Sequence, residues 1–259
     1  DSASRLAVRY RPAYGPGADS GNRIIVPYLR ATGIQWLDRM IVSHDDSDHS
    51  GGALSVLQAL PVADVLSSLP DLDPLILLAT QEQRCQAGQH WMWDGVRFDI
   101  LYPDAASYEE RRIKSNDRGC VLKISTVNGT AMIPADIERR GERMLLEHAA
   151  AVLRAEVLIA PHHGSRTSSS AAFVAAVAPQ VVIYPVGYRN AFRHPHPDVV
   201  ARYQTLGSTQ YRTDEGGAIR FELGGAQALA VSRYRDHYKR YWHAPRQGGV
   251  TDGPLAGFW

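Results

Sequence analysis

Short apolar runs alternate with patterns of helical period along the chain, and together they predict an α/β fold. A hairpin is predicted where Asn128-Gly129, a dipeptide favoured in tight turns, separates two apolar runs. Strands grouped with interleaved helices in both halves predict two mixed sheets with helices outside them, a four-layer αββα sandwich. Strands are expected at 39–42, 62–66, 75–78, 91–93, 95–102, 120–124, 130–133, 156–160, 181–184, 218–223 and 226–231, with 6–10 as a further candidate, and helices at 23–32, 53–60, 141–154 and 198–206.

Composition places the chain among globular proteins. Its 259 residues are 44% hydrophobic and 21% charged, which suits one full hydrophobic core and is unlike a disordered segment. The formal net charge of +1 gives no overall signal for a polyanionic partner, so any nucleic-acid contact has to come from a local patch. Because no apolar run approaches 18 residues, no independent membrane insertion is expected.

The first residues and the two cysteines carry weaker signals. Residues 1–4 lack the charged and apolar regions of a signal peptide, and a chain that starts without Met in mid-pattern is expected to be a piece of a larger protein. Cys85 and Cys120 fit no metal motif. They could pair in an oxidising compartment or remain two buried thiols.

The loop that follows the predicted strand 39–42 is the strongest chemical signal. His44, Asp46, Asp48 and His49 stand at positions i, i+2, i+4 and i+5, immediately before a predicted helix. So many charges in one tight turn need compensation, and a mixed set of nitrogen and oxygen ligands suits a divalent metal. The alternative is a solvated acidic loop in which Asp48 serves the helix N-terminus, although capping explains neither histidine.

Two further polar groups follow predicted strands. Asp136 comes just after the hairpin, where it could bind a metal or cap a helix. His162 and His163 follow a buried strand, and because adjacent side chains should diverge there, His163 is the expected ligand, with His162 as a supporting residue or substitute. A structural histidine pair is the competing interpretation. Like the first loop, both groups lie where strands end.

Hydroxyl groups and two further imidazoles complete the candidates for substrate contact. Ser165, Thr167 and Ser168 stand at a predicted helix start, where they could hold a phosphate or simply cap the helix. His194 and His196, which are interleaved with prolines, could approach an active site, with His194 as a general acid or phosphate donor. A surface turn before the helix at 198–206 explains them nearly as well.

These motifs together carry a resemblance. The stretch 44–49 resembles the His-x-His-x-Asp-His signature of the metallo-β-lactamase-fold hydrolases, with Asp46 in place of the second histidine. This variant, followed by Gly-Gly, resembles the metallo-β-lactamase-like domain of the ComEC family of DNA-uptake channels. Residues 134–138 resemble the family's Gly-Asp motif with Ala135 at the glycine position, and 161–165 resemble its His-His-Gly-Ser stretch. The resemblance implies the four-layer fold, lacking its first strands here.

The resemblance also implies two divalent metal ions. Asp136 would bridge them, with Asp48 acting in catalysis as well as binding, and His194 as the second catalytic residue. Asn116 and Asp117 stand where many relatives outside the ComEC group place a histidine, so this site would be richer in oxygen; a surface turn is the alternative for both. Because carboxylate ligation favours harder ions, manganese is preferred, with zinc or magnesium as alternatives. One ion would be held by His44, Asp46 and Asn116 or Asp117, and the other by Asp48, His49 and His163.

The implied function is degradation of the DNA strand that is not imported during natural transformation. Residues 1–243 would form the hydrolase domain of an inner membrane protein, on the extracytoplasmic side, with 244–259 as a flexible tail. DNA and the channel portion of the same polypeptide would be its partners, and alternating cations and aromatic rings at 233–242 could contact DNA or simply pack. The alternatives are a non-catalytic module that guides DNA through the channel, and a small-molecule phosphodiesterase.

Overall fold

The structure, a computed structural model, describes residues 19–110, 112–223, 229–241 and 243. The chain divides into two compact units. The first unit contains the residues up to Gln89 together with Ile100–Val121, and the second contains His90–Asp99 together with the residues from Leu122 onward. Within the described ranges, no helix combines the length and apolar character that a membrane crossing requires.

The first unit is built on a three-stranded parallel sheet in the order β1-β2-β3. Val42, Val65 and Leu69 form its core with helical residues packed against them. The elements in chain order are a π-helical turn (Gly21–Ile25), α1 (Val26–Ala31), β1 (Leu37–Val42), α2 (Ser47–Ser50), α3 (Ala53–Ala59), β2 (Val62–Ser67), α4 (Pro74–Leu78), β3 (Glu82–Arg84), α5 (Ala106–Glu109) and a 3₁₀ turn (Asn116–Arg118).

The second unit is built on a seven-stranded sheet in the order β10-β9-β8-β7-β6-β5-β4. Strands β7 to β10 run parallel, whereas β4–β5 and β6–β7 are antiparallel pairs. The elements are β4 (His90–Trp93), β5 (Val96–Tyr102), β6 (Val121–Thr126), β7 (Gly129–Ile133), α6 (Arg139–His148), a 3₁₀ turn (Ala150–Val152), β8 (Val157–Ile159), a 3₁₀ segment (Pro161–Gly164), α7 (Ala171–Val177), β9 (Val181–Tyr184), α8 (Pro197–Thr205), β10 (Thr209–Arg212), α9 (Thr213–Gly216), β11 (Ile219–Leu223), β12 (Leu229–Arg233) and α10 (Tyr234–His237).

A hairpin of β11 and β12 covers part of this larger sheet. Ala131, Val157, Val181 and Ile183 on the sheet pack against apolar side chains of the hairpin, among them Phe221. Apolar and polar residues alternate along β11 and β12 because only one face of the hairpin packs against the sheet. The core holds the parallel strands in place, and the loops that leave their carboxyl ends carry the candidate site.

The α/β class and most elements are confirmed, but several details are wrong. The run at 75–78 forms α4 instead of a strand, because Asp73 accepts a hydrogen bond from Leu75 N (2.8 Å) and Pro74 starts the helix. The smaller sheet is entirely parallel, not mixed. Strands β3 and β10 are missing from the prediction.

The hairpin turn lies one residue earlier than predicted. Thr126 pairs with Gly129, so the two-residue loop is Val127-Asn128, and neither residue has a positive φ. The candidate strand at 6–10, the turn at 224–225 and the tail at 244–259 lie outside the described residues.

Candidate metal centre

The loop after β1 places a buried imidazole next to carboxylates in the first unit. His44 is completely buried, and its Nε2 lies 3.5 Å from Oδ2 of Asp46. His49 Nε2 lies 3.9 Å from Oδ2 of Asp48. Asp46 occupies the N-cap position of α2, but its carboxylate makes no capping hydrogen bond. Helix capping therefore does not explain this carboxylate.

One serine hydroxyl orients both histidines of this loop. Ser43 Oγ lies 3.0 Å from Nδ1 of His44 and 3.1 Å from Nδ1 of His49, and the two ring centroids are 4.0 Å apart. A hydroxyl oxygen has two lone pairs, so it can accept an N–H from both rings. Each ring would then carry its lone pair on Nε2, as metal-ligating histidines with a hydrogen-bonded Nδ1 do.

A disulfide holds the segment with the remaining first-unit candidates. Cys85 and Cys120 are bonded, which answers the question that their sequence left open. Cys120 N–H donates to Ser43 O (3.2 Å), so this segment is attached to the end of β1. Asn116 and Asp117 form the preceding 3₁₀ turn, in which Asp117 is buried.

In the second unit, Asp136 is buried in the loop between β7 and α6. Its Oδ2 lies 3.1 Å from His163 Nε2 and 3.8 Å from His162 Nε2. Both imidazoles thus approach one carboxylate, and the expectation that the adjacent histidines diverge is wrong. The reason is local: His162 and His163 have φ values of 48° and 56°, a left-handed conformation that turns both rings to the same side. Ala135 has φ 52°, which explains why glycine suits this position.

The backbone fixes the ring of His163. Its Nδ1 donates to the carbonyl oxygen of Pro185 (3.0 Å), so the neutral ring carries its lone pair on Nε2, facing Asp136. Burial lowers the pKa of His163 to about 3, opposed by the hydrogen bond to Pro185 and reinforced by His194. The ring is therefore neutral near pH 7. His162, which is half-buried, approaches Glu138 on its Nδ1 side (3.5 Å).

This arrangement fits a cation. The lone pair of His163 Nε2 and the carboxylate of Asp136 are two acceptors only 3.1 Å apart, which repel unless a positive charge lies between them. A proton could supply that charge, but burial disfavours the imidazolium. A divalent ion with nitrogen and oxygen ligands could supply it, so the residues present fit a metal.

The substrate-contact candidates lie in two loops of the second unit. His194 is half-buried, with its ring 6.0 Å from that of His162 and 6.4 Å from that of His163, and burial lowers its pKa. His196 caps α8, where its Nδ1 accepts from Asp198 N (3.2 Å).

The hydroxyl groups after His163 differ in accessibility. Ser168 is completely buried and donates to Pro161 O (2.7 Å), which is a structural contact. Ser165 is also buried, and its hydroxyl lies 3.0 Å from that of Thr167, which is exposed. Among the three, Thr167 is therefore the hydroxyl that solvent reaches.

The residues that orient the ligand candidates are not apparent from the sequence alone. Ser43 gives a usable signal, since it immediately precedes His44. The carbonyl of Pro185 has no sequence signature, because any residue there would supply one. Glu142 is completely buried and accepts N–H bonds from Ser169 and Ser170, so it anchors the loop after His163. Its burial raises its pKa.

Comparison with curated proteins shows the relatives. The chain is 36% identical over 222 residues to the competence protein ComA of Neisseria gonorrhoeae, which covers 84% of this chain and 30% of ComA. The chain is a homologue of the ComEC-family competence proteins. It is also 27% identical over 210 residues to ComE operon protein 3 of Bacillus subtilis, covering 78% of this chain and 26% of the relative. This ComEC homologue spans between 23% and 30% of the length of the curated relatives it matches.

Solved structures agree with this relationship at the level of the fold. CmlA, a diiron β-hydroxylase from Streptomyces venezuelae, matches with a TM-score of 0.50 and 16% identity over 77% of this chain and 45% of CmlA. YhfI of Bacillus subtilis, a metallo-β-lactamase-fold protein, matches with a TM-score of 0.44 and 12% identity over 75% of this chain and 82% of YhfI. No family model matches the chain. The α/β fold of this ComEC homologue agrees with the match to CmlA, and the curated relatives confirm the resemblance to the ComEC family.

Proposed function

We propose that this chain is a metal-dependent nuclease domain that hydrolyses DNA phosphodiester bonds during uptake. The contact of Asp136 with a neutral His163 supports this most strongly, because two buried acceptors this close call for a cation. The ligand types support it as well: Asp48, His49, Asp136 and His163 provide two carboxylates and two imidazoles, a set that suits a divalent ion.

Two groups of side chains would hold the ions. His44 and Asp46, with Asn116 or Asp117, would hold one ion. Asp48, His49 and His163 would hold the other, with Asp136 shared and His162 beside it. Divalent ions, when bound, lower the pKa of water and neutralise charge on a phosphodiester. Manganese is the proposed ion because carboxylates outnumber imidazoles in the first group once Asp117 is included.

Other residues of the chain would orient the ligating histidines and donate hydrogen bonds to the phosphate. Ser43 and the Pro185 carbonyl would keep Nε2 as the ligating atom of three histidines. His194 would donate an N–H to a phosphate oxygen, and burial lowers its pKa, which favours the neutral ring as the donor. The exposed Thr167 would hold a further phosphate oxygen in exchange for the hydrogen bond that its hydroxyl donates to Glu138 (3.1 Å), and His196 would be a further contact.

Two observations support a setting for this activity. One relative is named a competence protein, and the greater length of the relatives fits a domain within a longer polypeptide. The Cys85–Cys120 disulfide fits an oxidising compartment outside the cytoplasm. We therefore propose that residues 1–243 form the hydrolase domain of an inner membrane DNA-uptake protein, on its extracytoplasmic side, with the channel portion as its partner.

A nuclease assay with manganese tests the proposal. Wild-type protein should cleave single- or double-stranded DNA, and EDTA should stop it. Asp136→Ala and Asp48→Asn should each lower the rate by more than about 100-fold, because even residues that only support metal ligands contribute 10- to 100-fold. Asp38→Asn, which changes an exposed carboxylate of β1, is the matched control and should cleave normally.

Other results identify the alternatives. DNA left intact while bis(p-nitrophenyl) phosphate is hydrolysed would make the chain a small-molecule phosphodiesterase. DNA bound without cleavage, and equally well by Asp136→Ala, would make it a guiding module without turnover.

A further inference from the structure

The first unit contains a cavity of about 290 Å³ beside the histidine loop. Asp45, on its wall, stands between two ligand candidates in the sequence, and its carboxylate accepts a hydrogen bond from the Ser115 hydroxyl. Ser68, also on the wall, donates to the backbone oxygen of Ser43. The cavity therefore shares its wall with the loop that carries His44.

Two guanidinium groups line this cavity. Arg84, at the end of β3, lies over the ring of Tyr108, with its Cζ 4.9 Å from the ring centroid, and pairs with the carboxylate of Asp71. Arg118, at the end of the 3₁₀ turn, donates to Ser107 O (3.1 Å) and Glu110 O (2.8 Å). Those bonds occupy two of its five N–H donors and hold its side chain in one orientation.

The positive charges of Arg84 and Arg118 both act on the hydroxyl of Tyr108. Burial raises the pKa of the Tyr108 hydroxyl, and the charges of Arg84 and Arg118 oppose that rise. The hydroxyl itself donates to Cys85 O (2.7 Å). Tyr108 thus lies within the fields of both guanidinium groups and, in the opposite sense, of Glu82, so the two cations flank the same wall of the cavity.

The disulfide joins the two segments that supply these cations. Cys85 directly follows Arg84, and Cys120 stands two residues after Arg118. The covalent link keeps the two arginines near each other before any ligand arrives, so binding would not have to order them. Paired guanidinium groups held in place are the groups that proteins use to bind phosphate oxygens.

We propose that this cavity binds a phosphate group of a nucleotide chain. The inference deepens the proposed nuclease function and rests on it for the choice of a nucleotide: the cavity would hold a phosphate next to the one that is cleaved. The hydroxyls of Ser68 and Ser115 stand on the same wall but donate their protons to Ser43 O and Asp45, so the two guanidinium groups would make the phosphate contacts.

Asp71 gives the proposal its sharpest test. The lining contains two carboxylates, of Asp45 and Asp71, and two guanidinium groups, so its formal charge is zero. The Asp71 side chain is 78% exposed, so it can turn away and release Arg84 to an incoming phosphate. Asp71 would therefore compete with the ligand, and its neutralisation should tighten binding.

The experiment measures binding of fluorescein-labelled octathymidylate by anisotropy, with EDTA present so that metals play no part. Arg84→Gln should weaken binding about tenfold and lower the salt dependence by about one phosphate contact. Asp71→Asn should strengthen binding about threefold. Arg97→Gln and Asp99→Asn are matched controls, because they alter an ion pair on β5 whose arginine side chain is about as exposed as that of Arg84. Neither control should change the affinity beyond the small effect of net charge.

Each outcome decides the proposal. Competition by inorganic phosphate would show that the cavity recognises the phosphate group itself, and its absence would overturn that assignment. Equal effects of Arg84→Gln and Arg97→Gln, or no gain from Asp71→Asn, would also overturn it. Binding with these effects but no DNA cleavage under manganese would leave the phosphate site standing and remove the proposed nuclease function. Cleavage without an Arg84 effect would do the reverse.

Discussion

The two loops that carry the histidines hold them by different means. In the first unit, a serine side chain orients both rings of the His44 loop, whose described residues have no positive φ. In the second unit, the backbone orients the rings: left-handed conformations at Ala135, His162 and His163 turn them, and a carbonyl fixes one of them. Local backbone strain of this kind persists only where the surrounding structure requires it.

Because the histidines of the two loops are oriented by different groups, different substitutions should disturb them. The orientation of His44 and His49 depends on one hydroxyl that a single substitution removes. The orientation of His163 depends on a main-chain carbonyl, which side-chain changes leave in place. The first loop should therefore respond to removal of the Ser43 hydroxyl, and the second loop to substitutions that alter its backbone.

The largest expected effect concerns the disulfide that holds the first unit's segment. Replacing Cys85 and Cys120 by serine should lower the free energy of unfolding by about 3–4 kcal/mol, given a sequence separation of 35 residues. Urea unfolding of both proteins measures the change. Reductant should destabilise the wild type and leave the variant unaffected; equal sensitivity would show that the disulfide carries no such role. Hydrogen exchange should rise around Asn116–Arg118 and not around His163.

The backbone of the second loop gives the next effect. Gly164→Ala should destabilise by about 2–3 kcal/mol, because φ is +81° and an added Cβ would meet Pro195 Cβ at 2.7 Å and Tyr184 Cδ1 at 2.8 Å. Gly33→Ala is the matched control: φ is +78°, but no atom lies within 4 Å, so only the strain of about 1 kcal/mol should remain. Similar losses in both variants by thermal unfolding would contradict the packing argument.

The serine of the first loop comes third. Ser43→Ala should weaken manganese binding by about 10- to 100-fold, because it removes the group that orients both imidazoles. Isothermal titration measures the affinity. Ser43→Thr keeps the hydroxyl and should stay within a few-fold of wild type; loss of affinity in that variant as large as in the alanine variant would point to packing instead.

The smallest expected effect is an increase in the free energy of unfolding. Ala135→Gly should stabilise the chain by about 0.5–1 kcal/mol, since glycine adopts φ 52° without the Cβ clash that alanine incurs. Ala201→Gly, on the exposed side of α8, should instead destabilise by about 1 kcal/mol. Opposite signs in urea unfolding would support the backbone argument, and a loss in both variants would refute it.

The sequence points to the candidate ligands more clearly than to the groups that orient them. The clusters at 44–49 and 162–163 stand out because imidazoles and carboxylates crowd into loops after apolar strands. The apolar run at 75–78 predicts a strand, but Asp73-Pro74 starts a helix there. The helix-start signal therefore outweighs the apolar run. The shared direction of His162 and His163 depends on positive φ values that tertiary packing imposes, and no residue type there announces them.

Metal content tests the central claim most directly. Apoprotein prepared with chelator and dialysed against manganese should retain two ions per chain by elemental analysis. Asp136→Ala should lose bound metal, whereas Asp38→Asn should retain it. A wild-type chain that binds no manganese, zinc or magnesium above background, or an Asp136→Ala variant that binds as much as wild type, would contradict the account.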